Sequence, residues 1–228
     1  MIEFLFLDLD DTILDFHKAE RVALSKTLRD FGIEPTDAVL DRYHLINKAH
    51  WEMLERGELT RPQVLTGRFH ALFQELGRDA DPEAVAEDYE GSLGVGHWFL
   101  PGAREAVISL SRKYKLYLAS NGTASVQHGR LTSAGLYPWF REVFISQEIG
   151  YNKPSKEYFD ACFLRIPGFC RERAMMVGDS LTSDILGGIR AGIATCWVNP
   201  DHSPGRKDIV PDYEIESLSR LEGLLETL

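Results

Sequence analysis

The chain has 228 residues, 44% of them apolar, and a formal net charge of -10. That size fits one large domain, or a core domain with a smaller insert, able to bury a core. The acidic balance, with no basic run to offset it locally, excludes non-specific binding to nucleic acid polymers and anionic membranes and points to small ligands. Cys162, Cys170 and Cys196 are odd in number and lack metal-ligand spacing, so they read as reduced thiols of a cytoplasmic protein. No basic segment precedes the first apolar run, Glu3 and Asp8 interrupt it, and no apolar stretch approaches ~20 residues. Neither secretion nor a membrane span is expected.

Ile2 to Leu9 is apolar at almost every position, the pattern of a strand buried on both faces of a parallel sheet. It runs straight into Asp8, Asp10 and Asp11. Asp8 and Asp10, two apart at the strand's carboxyl end, point the same way. Unit charges ~4 Å apart at an effective dielectric of about 20 repel by roughly 4 kcal/mol, so a counter-cation is expected here. From 16 to 96 the apolar residues recur at helical spacing, which predicts an all-helical segment. Gly32 closes a helix begun near His17, Gly57 closes one begun near Asp37, Thr60 and Gln63 form a capping box, and Asp81 with Pro82 opens a fourth helix. Past "FLPG", short apolar runs alternate with helical ones, and "KLYLAS", "EVFIS", "AMMVG" and "ATCWV" are predicted strands of βαβ units. The first strand joins the same sheet. The reading is an α/β parallel-sheet core, 1–15 and 97–228, interrupted by an all-helical cap, 16–96. "NPDHSPGRKD" is a surface loop, and Ser217 to Thr227 a last amphipathic helix.

In an open parallel sheet, ligands bind at the carboxyl ends of the strands. The first end presents Asp8, Asp10 and Thr12, and the second presents Ser120 and Asn121 in "LYLASNG", with exposed amides near Gly122. After the third comes Lys153 in "GYNKP", and after the fourth come Asp179 and Asp184 in "GDSLTSD". Singly, each has an ordinary reading as a turn or a solvated loop. Jointly, they bring carboxylates, a hydroxyl and a lysine to one edge of a sheet, which does not read as an accident.

These four motifs, "DLDDT", Ser120 in "LASNG", Lys153 in "NKP" and "GDSLTSD", occur in order around a helical insert and resemble the haloacid dehalogenase superfamily over the whole chain. The resemblance implies a Rossmann-like core with the cap inserted after the first motif. It implies Asp8 as a nucleophile that forms an aspartyl-phosphate and Asp10 as general acid and base. Mg²⁺, with Mn²⁺ as a substitute, is expected on the carboxylates of Asp8 and Asp179 and the backbone carbonyl of Asp10. Ser120 would donate to a phosphoryl oxygen, with Thr12 and Asn121 in the same cradle, and Lys153 would offset the charge. Asp184 is expected to position a metal-bound water or Lys153. Dehalogenases of the superfamily lack a carboxylate at the position of Asp10, because halide leaves without a proton. A phosphatase is therefore expected, and a mutase or a non-enzymatic phospho-accepting module is the alternative. Such modules need neither Asp10 nor the insert.

Within the predicted cap and at its ends, Phe16, His17, Asn47, Trp51, Arg68, Phe69 and Trp98 mix aromatic and polar chemistry, most of it expected in the cap's own core. His44, His50, His70 and His97 lack the i,i+4 spacing of a helical metal pair, so a second metal site is not expected. "INKAHWEML" and "GRFHALF" resemble the cap of bacterial nucleoside 5′-monophosphatases that favour pyrimidine nucleotides. That likeness implies a nucleotide substrate with Trp51 as the aromatic to test against the base, since such stacking is worth roughly 1 to 3 kcal/mol. Phosphates of sugars and small organic acids are the alternative. The expected partner is a small phosphorylated molecule, bound by a monomer or a homodimer.

Overall fold

The computed structural model describes residues 1–228. Its strands are β1 (Phe4–Leu7), β2 (Lys115–Ser120), β3 (Glu142–Ile145), β4 (Ala174–Gly178), β5 (Ala194–Val198) and β6 (Tyr213–Ile215). They form one parallel sheet in the order β3-β2-β1-β4-β5-β6. From β1 the chain builds outward to β2 and β3 on one side and to β4, β5 and β6 on the other. The strand order therefore reverses between β1 and β4, which opens a crevice outside their carboxyl ends. All four β1 residues are fully buried, the reason this stretch is continuously apolar. The strand is shorter than the apolar run, because the chain curls at Leu9.

The chain forms two compact units, Met1–Phe16 with His97–Leu228, and His17–Gly96. The second unit is helical, with α1 (Phe16–Asp30) entering it from the first, followed by α2 (Asp37–Glu55), α3 (Arg61–Leu76) and α4 (Pro82–Leu93). Its ends follow the expected punctuation: Gly32 and Gly57 take φ of +71° and +73° just past α1 and α2. Thr60 N donates to Gln63 Oε1 at 2.8 Å, and Asp81 Oδ1 accepts from Glu83 N at 3.0 Å. Tyr43, Phe69 and Tyr89 are its aromatic centre, with ring centroids 5.1 to 5.6 Å apart.

In the first unit the sheet is covered by α5 (Ala103–Lys113), α6 (Ala124–Ala134), α7 (Ser146–Ile149), α8 (Lys156–Leu164), α9 (Leu186–Ala191) and α10 (Leu221–Leu225). Alternate side chains serve opposite faces. Leu5, Leu7, Leu118 and Val177 share a core with Val107 of α5 and Leu131 of α6. Phe4, Phe6, Tyr117 and Met176 share the other with Phe159 and Phe163 of α8. The last helix is shorter than expected, a 3₁₀ turn at Leu218–Arg220 leading into α10. Strand β6 escaped the sequence reading because three residues, only Ile215 of them buried, carry no period. No helix is long and apolar enough to cross a membrane.

Candidate active site

Asp8 is delivered to the crevice by the central strand, its N–H donating to Val177 O at 3.0 Å. Just beyond it, Ile13 and Leu14 N–H both donate to Leu9 O, at 3.0 and 2.9 Å, and Asp11 adopts φ +54°. Beyond this curl the two carboxylates have different partners. Asp8 joins Asp179 and Asp184. Asp10 is paired with the Arg130 guanidinium of α6 and accepts from Gln127 Nε2 at 2.7 Å. The repulsion expected from the sequence is met within the chain by two cations, Lys153 at Asp8 and Arg130 at Asp10.

Lys153 is 1% exposed, and its Nζ donates to Asp8 Oδ1, Asp184 Oδ1 and Ala119 O, each at 2.6 Å. Three protons meet three acceptors, which holds the ammonium in one place. Asn121 fixes the main chain that carries it: Lys153 N donates to Asn121 Oδ1 at 2.8 Å, and Asn121 Nδ2 donates to Lys153 O at 2.9 Å. The amide expected in the phosphate cradle thus serves Lys153. The Gly122 amide is also engaged, donating to Ser120 Oγ at 3.1 Å. Ser120 Oγ accepts a second bond from Gln127 Nε2 at 2.8 Å, so its own proton is what it can offer to a further acceptor. Thr12 Oγ1 is buried with no hydrogen-bond partner among protein atoms, a donor suited to an oxyanion.

Asp184 stands on a π-helical turn, Leu181–Ile185, where its Oδ2 accepts from Ser180 N at 3.1 Å. It lies close against the end of β4 because residue 178 is glycine: a Cβ there would sit 2.1 Å from Asp184 Oδ2. Gly178→Ala is expected to cost about 1–3 kcal/mol of stability by overpacking and to lower turnover by displacing Asp184, measured by denaturant unfolding and by rate. Trp197 Nε1 donates to Asp179 O at 2.7 Å and steadies the loop beside it.

Burial lifts the Asp8 carboxyl to about 8, with Asp184 and Asp10 adding to the rise and Lys153 opposing it. Burial, reinforced by Asp184 and Asp8, also lifts Asp179 well above the carboxylate range. For Lys153 burial works downward, but Asp184 and Asp8 outweigh it and raise its pKa. Asp8, Asp179 and Asp184 place ligating oxygens within 4.8 Å of one another. An all-oxygen set with more carboxylate than lysine fits a hard divalent cation and not a soft one.

Gln127 and Arg130 were missed by the sequence reading. Their only signal is two long polar side chains three apart on α6, both buried and flanked by buried Val126 and Leu131. In the helical unit, Asn47, Arg68 and Phe69 are buried. Trp51 on α2 is half-buried, with the Arg61 guanidinium 5.4 Å from its ring centroid.

The haloacid dehalogenase-like hydrolase family matches this chain over residues 2–192. The chain is 39% identical to pyrimidine 5′-nucleotidase PynA of Streptococcus pneumoniae over 225 residues, 98% of this chain and 95% of that one. It is 32% identical to pyrimidine 5′-nucleotidase YjjG of Escherichia coli over 223 residues, 98% and 97% of the two chains. A magnesium-bound crystal structure of the HAD-hydrolase YfnB from Bacillus subtilis superposes with a TM-score of 0.94 at 41% identity, covering 98% of each chain. A parallel sheet with carboxylates and a buried lysine at its switch point, carrying these matches, belongs to the haloacid dehalogenase-like hydrolases. The chain is an enzyme of that family.

Proposed function

We propose that this hydrolase cleaves phosphomonoesters through an aspartyl-phosphate on Asp8, and that its substrates are nucleoside 5′-monophosphates, pyrimidine nucleotides first. The carrying observation is Asp8 itself: 7% exposed, at the end of the central strand, and oriented by the Lys153 ammonium at 2.6 Å. An Asp8 oxygen attacks phosphorus in line, the ester P–O bond breaks, and protonated Asp10 gives its proton to the departing alkoxide. Asp10, then a carboxylate, takes a proton from the water that attacks the aspartyl-phosphate. The P–O bond to Asp8 breaks and inorganic phosphate leaves. The pairing of Asp10 with Arg130 and Gln127 suits this second, ionised form.

Ser120 donates its hydroxyl proton to a phosphoryl oxygen, and Thr12 Oγ1 is the second hydroxyl in reach of the same crevice. Asp8, Asp179 and the Asp10 backbone carbonyl would hold Mg²⁺, with Mn²⁺ as a substitute and Asp184 orienting a water or Lys153. When bound, the cation neutralises phosphoryl charge and favours the ionised form of Asp8. The chain's own part is to hold Asp8 in line and to move a proton at Asp10.

The nucleotide reading is supported by the 39% and 32% identity to PynA and YjjG, and by the half-buried Trp51. Phosphate contacts are common to all phosphomonoesters, so preference must come from groups that meet the leaving alcohol. A panel of phosphomonoesters assayed with Mg²⁺ tests it. Pyrimidine 5′-monophosphates are expected to lead sugar and small-acid phosphates in kcat/KM. Trp51→Ala is expected to lower kcat/KM for nucleotides by about ten-fold, roughly 1.4 kcal/mol, while sparing an aryl phosphate. A panel led by sugar phosphates overturns the nucleotide reading, and an equal loss on both substrates assigns Trp51 to the packing of its own unit.

A further inference from the structure

We propose that the helical unit carries a second metal site, formed by His17, Glu20 and His44, that takes zinc or a similar borderline divalent ion. His17 and Glu20, three apart on α1, share a helix face, and His44 meets them from α2. Glu20 is 1% exposed, and a carboxylate so deeply buried requires partners. Asn47 Nδ2 donates to its Oε1 at 2.7 Å, and Oε2 lies 2.7 Å from His44 Nδ1. Asn47 is fixed in turn by Arg68, whose Nη1 donates to Asn47 Oδ1 at 2.9 Å. Glu20 is thus oriented from behind by a hydrogen-bonded chain, as metal-binding carboxylates are.

Glu20 and His44 form an ion pair when His44 is protonated, and His17 stands beside them. The His17 ring lies on the His44 ring with centroids 3.9 Å apart. Two protonated imidazoles at that spacing repel, whereas two neutral ones each offer a lone pair, the form a metal takes. The ligating atoms of the three residues lie within 4.8 Å of one another. Zinc bonds place ligand atoms about 3.3 Å apart, so His44 and Glu20 separate slightly and the exposed His17 rotates inward. Two nitrogens and one oxygen suit zinc better than Mg²⁺, which separates this site from the all-oxygen crevice. Histidine spacing alone concealed it, because the two imidazoles come from different helices with a carboxylate between them.

The test uses the full-length protein titrated with Zn²⁺ while Mg²⁺ is in large excess, with retained metal counted by elemental analysis after desalting. One equivalent of Zn²⁺ is expected to stay bound and to persist in the Asp8→Asn, Asp179→Asn double variant. It should bind about ten-fold more weakly, or worse, in His17→Ala and in His44→Gln, with circular dichroism unchanged in both. Co²⁺ in place of Zn²⁺ should give the intense visible bands of a four-coordinate site and lose them in the same two variants. Unchanged Zn²⁺ affinity in either histidine variant overturns the proposal. So does loss of all retained Zn²⁺ from the double variant, or the lack of a retained equivalent in the unaltered protein.

Discussion

Asp8→Asn is expected to lower turnover of any phosphomonoester by about a thousand-fold or more, some 4 kcal/mol of transition-state stabilisation, while the protein stays folded. The amide occupies the same volume and its oxygen can still accept from Lys153, but it does not attack phosphorus. The same change relieves a cost in the metal-free protein. Asp8 has a folded pKa of about 8, above an unfolded value of about 3.9, so its ionisation weighs against the fold as pH rises through that window. Without metal, the variant should therefore equal the parent in stability below about pH 4 and exceed it near pH 8. Denaturant unfolding at the two pH values reads this difference, and a rate assay reads the first. Retention of about a tenth of the activity would point to another nucleophile.

Lys153→Met should carry the second-largest effect. It removes the one ammonium that bonds both Asp8 and Asp184, each at 2.6 Å, and leaves buried carboxylates facing one another. Breaking a buried pair from one side costs about 3–5 kcal/mol, far more than an exposed ion pair is worth. The penalty should shrink on acidification, as the stranded carboxylates take up protons, and should shrink when Mg²⁺ is added. Turnover should fall together with stability, since the ammonium also orients the attacking group. A loss of stability below about 1 kcal/mol would mean that the crevice tolerates its carboxylates without this lysine.

The parallel sheet was legible because β1, β2, β4 and β5 are buried on both faces and so leave short apolar runs. The helical unit was legible through its caps, Thr60 with Gln63 and Asp81, and through Gly32 and Gly57. Asp8, Ser120, Lys153, Asp179 and Asp184 stand out as candidates in the sequence because they follow strand ends, where ligands meet an open sheet. What the sequence did not disclose is which side chains serve the others. Asn121 sits beside Ser120 in the chain, yet it binds the main chain of Lys153. Gln127 and Arg130 lie more than a hundred residues from Asp10, with nothing local to link them. The glycine at 178 reads as a turn residue until it is seen that a Cβ there would sit 2.1 Å from Asp184 Oδ2. Periodicity reports burial and turn chemistry reports boundaries, but partnerships between helices and strand ends arise only on folding.

The central claim, that phosphoryl transfer passes through Asp8, is tested most directly by the stereochemistry at phosphorus. A phosphorothioate monoester made chiral at phosphorus with ¹⁶O and ¹⁸O is hydrolysed in ¹⁷O-water, and the configuration of the inorganic thiophosphate is determined. Transfer to Asp8 and then to water comprises two in-line displacements, each of which inverts phosphorus. Net retention is the predicted result, and net inversion, the mark of direct attack by water, would contradict the account.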